Sequence, residues 1–193
     1  MRVCGVVDGG VAGLLAGRDD GGMYTVRVET MIGAPRERCF DLARSVEAHV
    51  ASTGKSGERV VGGRRAGLME MGEEVTWEGR HFFVRQRFTS RISGFERPGW
   101  FRDEMVRGAF RAFEHEHFFE EVLGVREASP SRCDGVTGTR MVDVLVFSAP
   151  LGVVGWIAER VVLGWYLRRF LEERARVLKE LAEGEGWRTF VGG

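Results

Sequence analysis

The sequence predicts an α+β domain in which a curved antiparallel β-sheet wraps around one long C-terminal α-helix. Three observations favour this fold class. Residues 24–32 alternate between apolar and polar side chains, as a strand does. Further alternating segments occur from residue 75 to residue 119 and at residues 139–147. Residues 152–183 carry apolar side chains at helical spacing. This order of elements is typical of the α+β class: one strand, a short helical region, a run of strands and a long helix.

The composition fits one folded domain. The chain has 193 residues, of which 44% are hydrophobic and 29% charged, so it holds enough apolar material for a core. Basic and acidic residues number 28 each, and the formal net charge is zero. This balance disfavours a nucleic-acid partner, because phosphates attract a basic surplus. A protein partner cannot be named from the sequence.

Cysteine usage and hydropathy predict a cytoplasmic location. Cys4, Cys39 and Cys133 have neither the even number nor the paired spacing of a disulfide framework or a zinc site. The most apolar stretch, residues 148–170, is interrupted by four charged residues. It therefore falls short of the roughly 20 apolar residues that an integral membrane span needs. A reducing compartment suits such a chain.

The two ends of the chain are expected to lie outside the domain. Residues 1–22 are rich in glycine, and they match neither a signal peptide nor a dinucleotide-binding loop. We expect them to be a disordered or mis-started N-terminal extension. The folded domain is predicted for residues 23–184, and residues 185–193 are expected to be a flexible tail.

The elements of the domain follow in order along the chain. Pro35 suits the first turn of a helix that is predicted for residues 36–50. Residues 52–72 have the glycine and charge content of a mobile loop. Alternating strands follow, and the last helix is predicted for 152–183.

Alternation also assigns each side chain to a face of the sheet. Between residues 81 and 92 the even positions are mainly apolar, so Phe82, Val84 and Phe88 are expected to face the core. His81 shares its parity with the arginines of this segment and is expected to face the solvent.

Polar side chains nevertheless occupy inner positions on two neighbouring strands. His115 and His117 alternate with outward glutamates, and Asp103 has an inner position on the preceding strand. A buried polar group without a partner costs about 1–3 kcal/mol, so these groups must meet one another, water or a ligand. A three-residue turn at 108–110 places Asp103 opposite His115, which predicts a hydrogen bond between them. Asp143 is a further candidate for the same wall.

Four uses of this polar group stay open: core packing, lining of a ligand cavity, acid/base catalysis and metal binding. Cavity lining is favoured, and His115, His117 and Asp103 are the catalytic candidates. Metal binding is disfavoured because the remaining histidines, His49 and His81, lie upstream and supply no second cupin motif. We expect no metal and no cofactor.

Several short motifs carry a resemblance to a known superfamily. They are residues 72–77 (Gly-Glu-Glu-Val-Thr-Trp), 101–105 (Phe-Arg-Asp-Glu-Met) with Gly108 and Phe110, 115–117 (His-Glu-His) with Phe119, 138–141 (Gly-Thr-Arg-Met) with Asp143, and Pro150 and Gly152 with Arg174. In this order they resemble the START-like helix-grip superfamily, also called SRPBCC. That superfamily includes polyketide cyclases/dehydrases and lipid carriers. The resemblance covers about residues 23–183.

The resemblance implies a helix-grip fold: a seven-stranded antiparallel sheet that grips the C-terminal helix around a deep apolar cavity. Six strands are evident in the sequence, and the segment near 59–61 is the candidate for the seventh. The residues expected to bind the ligand are Trp77, Phe82, Phe88, Phe101, Asp103, Met105, His115, His117, Phe119, Met141 and Asp143.

The predicted function is that of a carrier or sensor which binds a hydrophobic small molecule, such as a lipid, an isoprenoid or a polyketide. An alternative is a cyclase or dehydratase in which a histidine acts as general base and Asp103 orients it. A third possibility is an interaction module in cell division, which would use the arginine-rich loop around Arg64 and the final helix.

Overall fold

A computed structural model describes residues 17–18, 23–54, 56–81, 84–123, 137–150 and 162–191. None of the helices in these ranges is both long and apolar enough to cross a membrane. The elements in these ranges are β1 (Gly17–Arg18), β2 (Tyr24–Ile32), α1 (Arg36–Ala43), α2 (Val46–Ser52), β3 (Arg59–Gly63), β4 (Glu74–His81), β5 (Val84–Glu96), β6 (Trp100–Arg107), β7 (Ala112–Leu123), β8 (Thr137–Ser148), α3 (Gly164–Glu183) and α4 (Arg188–Val191).

The strands form one antiparallel sheet in the order β1-β2-β8-β7-β6-β5-β4-β3. β2 and β8 pair from Tyr24 opposite Phe147 to Ile32 opposite Thr139, which joins the first long strand to the last. The strand suggested near residues 59–61 is present as β3. With α3 packed on this curved sheet, the predicted α+β fold is confirmed.

The predicted helix over residues 36–50 is two helices, α1 and α2. The break lies at Arg44 and Ser45. The Ser45 side chain accepts a hydrogen bond from the backbone N–H of Ala48 at 3.3 Å and so caps α2. Serine is a preferred N-cap residue, and the periodicity of the apolar residues did not reveal this interruption.

Helix α3 turns its apolar side towards the sheet. Leu167, Leu171 and Leu178 are buried, as their spacing predicts. Gly164 allows α3 to approach β2 closely, since a Cβ there would lie 2.5 Å from the ring of Tyr24. The predicted start of this helix at residue 152 lies outside the described residues.

An aromatic cluster fills the space between α1 and the sheet. Phe40 has no exposed surface, and its ring meets those of Phe95, Phe101 and Phe119 edge-on at centroid distances of 5.4–5.5 Å. Edge-on aromatic contacts of this kind add about 0.5–1.5 kcal/mol each beyond the burial of their area. Phe101 and Phe119 are therefore core residues in this structure.

The segment expected to be a flexible tail contains local structure. Residues 188–191 form α4, and the guanidinium of Arg38 lies 4.4 Å from the centre of the Trp187 ring. Trp187 and Phe190 also pack, partly buried, against the core. The segment is short and contains glycine, so its sequence does not predict that Trp187 and Phe190 contact the domain.

Replacement of Phe119 by alanine is expected to lower the free energy of unfolding by about 3–5 kcal/mol, because it opens a hole among the core aromatics. Phe118 is the matched control, because it lies next to Phe119 on the other face and packs against Trp100. Phe118→Ala is expected to cost about 1 kcal/mol. Urea unfolding measures both values, and equal losses would contradict the assignment of Phe119 to the core.

Candidate functional site

A cavity of about 250 Å³ lies between the sheet and α3. The walls are mainly apolar and include Val75, Trp77, Phe88, Ile92, Phe110, Phe113, Leu145, Leu167, Phe170 and Leu171. Two groups of ionisable side chains interrupt these walls.

The first group, named here the β7 cluster, consists of Asp103, His115, His117 and Asp143. The strand register brings the four together, since Asp103 lies opposite His115 on β6 and β7, and His117 lies opposite Asp143 on β7 and β8. Side chains at alternate positions share a face, so all four project to the inner side of the sheet. The turn register agrees with the one derived from the sequence.

In the β7 cluster His117 lies between the two carboxylates. Its Nε2 is hydrogen-bonded to Asp103 Oδ2 at 3.2 Å, and its Nδ1 lies 2.6 Å from Asp143 Oδ1. The expected hydrogen bond between His115 and Asp103 is not formed, because His115 Nδ1 lies 3.9 Å from Asp103 Oδ2. Asp103 instead contacts His117, its diagonal neighbour on β7. The ring of His117 stacks on that of Phe101 with a centroid distance of 4.2 Å.

His115 is the under-partnered member of the β7 cluster. Its side chain is only 4% exposed, and its Nε2 has no hydrogen-bond partner although Asp143 Oδ1 lies 3.3 Å away. The two imidazole rings are 3.9 Å apart between centroids. Burial therefore leaves one ring nitrogen of His115 without the partner that such an atom normally has.

The environment moves the pKa values of the two histidines in opposite directions. Burial lowers the pKa of His115, and the charge of His117 lowers it further. Burial also opposes the charged form of His117, but its contacts with Asp103 and Asp143 outweigh this effect and raise its pKa. Both carboxyl groups have lowered pKa values, because contacts with the histidines outweigh the burial that would raise them.

The second group, named here the Glu58 cluster, consists of Glu58, His49, His81 and Tyr166. His49 Nε2 is 2.8 Å from Glu58 Oε2, and His81 Nε2 is 3.3 Å from Glu58 Oε1. His81 Nδ1 is hydrogen-bonded to the Tyr166 hydroxyl at 2.7 Å. Trp77 stacks on His49 with a centroid distance of 4.0 Å.

The pKa shifts in the Glu58 cluster indicate which of its groups carry a proton. Burial opposes ionisation of Glu58, but the hydrogen bonds from His49 and His81 outweigh it and lower its pKa. Burial lowers the pKa of His49 and raises that of Tyr166. Neutral His49 therefore donates its Nε2–H to the carboxylate, and the Tyr166 hydroxyl keeps its proton beside His81 Nδ1.

Arg174 of α3 links the two clusters electrostatically. It borders the cavity, and its positive charge lowers the pKa values of both His49 and Asp103. It also borders a second void of about 10 Å³ next to His117 and Asp143. A void of that size holds about one water molecule.

The structure distributes the expected ligand residues over several places. Trp77, Phe88, Asp103 and His115 line the cavity. His117, Met141 and Asp143 border the small void. Phe101 and Phe119 lie in the aromatic core. Met105 is half-buried and is not among the described residues that line the cavity. Phe82 lies outside the described residues.

The Glu58 cluster was missed by the analysis of the sequence. His81 was assigned to the strand that follows it, but it ends β4 and pairs with Val84, so it shares the inner face of Val75 and Trp77. Val84, expected in the core, is 58% exposed. The parity of β4 alone would have placed His81 correctly.

Three side chains of the β7 cluster have the chemistry of metal ligands. One ligand atom from each of Asp103, His115 and His117 lies within 4.8 Å of the other two. Two imidazoles and a carboxylate suit first-row transition ions. The sequence disfavours a metal because the other histidines supply no further ligand, whereas here the third ligand is Asp103 on the neighbouring strand.

No family model and no curated protein matches the sequence. Solved structures do match the fold. The protein TTHA0849 from Thermus thermophilus is 20% identical, with 81% of this chain and 94% of that chain covered and a TM-score of 0.59. Major latex-like protein 151 from Panax ginseng is 11% identical, with 84% and 99% covered and a TM-score of 0.57. For Ara h 8.0201 the identity is 9%, the coverage 83% and 97%, and the TM-score 0.54.

Identities of this size establish the fold and nothing further. The strand order, the long helix α3 and the structural neighbours together show the helix-grip α+β fold. The motifs in the sequence implied the same fold.

Replacement of Glu58 by glutamine is expected to lower the free energy of unfolding by about 1–3 kcal/mol, because one end of an amide cannot accept the N–H of a histidine. The control is Glu120→Gln, which alters an exposed pair with Arg140 and should cost about 0–1 kcal/mol. Chemical unfolding at neutral pH measures both.

The difference in unfolding free energy between the wild type and Glu58→Gln is expected to depend on pH. The pKa of Glu58 is lowered from its ordinary value of 4.5, so its ionised form stabilises the fold fully above that pH. The gap in unfolding free energy between wild type and Glu58→Gln should narrow as the pH falls below that value. A gap that widens on acidification would contradict the arrangement of the Glu58 cluster.

Proposed function

We propose that this protein binds a compact amphiphilic small molecule, with an apolar body in the cavity and a polar group on the β7 cluster. The observation that carries the proposal is an apolar cavity into which a buried, under-partnered histidine projects. Ligand sites in proteins commonly combine mostly apolar walls with a few convergent polar groups.

The walls favour an apolar body for the guest. Trp77, Phe88, Phe110 and Phe113 present aromatic faces or edges to the cavity, and α3 adds leucine side chains. Transfer of apolar surface from water to such walls contributes roughly 25 cal/mol per Å². Within the described residues the cavity lies between the sheet and α3, where the helix-grip fold leaves room.

The size of the cavity limits the guest. Its volume of about 250 Å³ lies just below the range of about 300–1,000 Å³ that is typical of ligand pockets. A ring compound or a single short chain fits this volume better than a lipid with two chains. Among the predicted classes, an isoprenoid or a polyketide is therefore favoured.

The polar groups favour a guest with a hydrogen-bonding or acidic group. His115 and Asp103 border the cavity at the β7 cluster, and Arg174 faces it from α3. A polar group of the guest can form a hydrogen bond with the imidazole of His115, which borders the cavity. A carrier or sensor in the cytoplasm, as the number and spacing of the cysteines predict, suits such a site.

A fluorescent apolar anion, 1-anilinonaphthalene-8-sulfonate, tests the cavity directly. The wild type is expected to bind the probe, and Ser90→Phe should weaken binding about tenfold or more, because buried Ser90 lines the cavity. Thr89→Phe is the matched control, since Thr89 lies on the opposite face, where it contacts Thr76. Thermal melts identify any variant that has lost its fold. Equal affinity of the two variants would contradict binding in the cavity.

Acid/base catalysis on the bound guest is the second candidate function. It is favoured by His115, which borders the cavity and stays neutral because burial lowers its pKa. A neutral imidazole can accept a proton from a substrate. If the protein is an enzyme, His115→Ala should retain the guest and lose its conversion, as followed by mass spectrometry. An equal loss of affinity and of conversion would contradict a catalytic role for His115 and would support a binding role only.

The interaction-module hypothesis has less support among the described residues. Arg64 of the arginine-rich loop pairs with Glu73 at 2.5 Å. The apolar side of α3 packs on the sheet, and Trp165 is its large exposed apolar residue.

A further inference from the structure

We infer that the β7 cluster is a binding site for one divalent first-row transition ion, with Asp103, His115 and His117 as ligands and Asp143 as the carboxylate that orients the histidines. This inference uses residues of the proposed ligand site. It is independent of the proposed function, because the ion needs no organic guest in order to bind.

The three ligand atoms face one another across β6 and β7. Asp103 Oδ2 lies 3.2 Å from His117 Nε2 and 3.9 Å from His115 Nδ1. An ion bound at about 2.0–2.2 Å from each atom requires ligand separations of roughly 3–3.5 Å. The pair of Asp103 and His117 already meets this requirement, and the ring of His115, whose ligand atom lies within 4.8 Å of the other two, would need to move closer.

Asp143 lies where an orienting carboxylate is needed. Metal-bound histidines usually direct their other ring nitrogen to a carboxylate, a carbonyl or water. Here the far nitrogens of both rings point to one atom, Asp143 Oδ1, at 2.6 Å from His117 Nδ1 and 3.3 Å from His115 Nε2. His115 Nε2 lies on the other side of its ring from Nδ1, so an ion bound at Nδ1 leaves Nε2 directed to the Asp143 carboxylate.

The charge and the surroundings also suit a divalent ion. Two carboxylates balance its two positive charges while both imidazoles are neutral. Asp103 and His115 border the cavity, so the ion can be reached from it, whereas Asp143 lies towards α3 beside the small void. With three protein ligands the ion keeps open positions, and an oxygen of a cavity guest can occupy one. Arg174 borders the same space and can pair with an acidic guest on the ion.

The test is titration of protein that carries no histidine tag, after removal of metals with a chelator, with Zn²⁺ and with Co²⁺. Calorimetry is expected to show one ion per chain, and Co²⁺ should develop the visible absorption of a site with nitrogen and oxygen ligands. His117→Gln and Asp103→Asn should weaken binding at least about a hundredfold, and Asp143→Asn by about 10–100-fold. His81→Ala should leave the affinity unchanged, because His81 belongs to the Glu58 cluster.

Nuclear magnetic resonance of the wild type keeps the test decisive if a variant fails to fold. The chain has 4 histidines, and Co²⁺ should shift the ring protons of His115 and His117 most strongly. No binding, or shifts centred on His49 and His81, would overturn the inference. Ion binding without binding of the naphthalene probe would refute the proposed function alone, and the reverse would refute the metal site alone.

Discussion

The register of β7 between β6 and β8 is the constraint on which the cavity depends. It places Asp103 opposite His115 and His117 opposite Asp143, so that two carboxylates flank two buried imidazoles. A shift of β7 by one residue would turn both histidines to the other face of the sheet. It would leave the carboxylates buried without these partners, at about 1–3 kcal/mol for each unsatisfied group. The same register also fixes which apolar side chains of β7 and β8 face α3, so the polar cluster and the apolar walls are set together.

The cavity combines two preorganised polar clusters with apolar walls, and each cluster is satisfied mainly from within. Glu58 holds two histidines from different elements, while the β7 cluster is built from three adjacent strands. Groups that are fixed in this way need little rearrangement when a guest arrives, which lowers the cost of binding. The exception is His115, whose buried nitrogen lacks a hydrogen bond. This imbalance points to the β7 cluster as the place where a guest or an ion acts.

Local patterns in the sequence were sufficient for the fold and for the β7 cluster. Alternation on single strands and the length of one turn determine which residues oppose each other, so the sequence alone places Asp103, His115 and His117 on one face. Depth along the inner face is not encoded in alternation. Phe119 has the same parity as His117, yet it packs against the aromatic core under α1 and not in the cavity. The Glu58 cluster needs side chains from α2, β4 and α3 and from the residue before β3, and their proximity follows only from the tertiary structure.

Native mass spectrometry of the protein, purified without an added ligand and then exposed to an organic extract of cells, tests the central claim most directly. The account predicts an extra mass of a few hundred daltons that is lost on denaturation and is absent from a variant whose cavity is filled at Ser90. A bare mass for the wild type under both conditions, or the same extra mass on the filled variant, would contradict the claim that this cavity holds a small molecule.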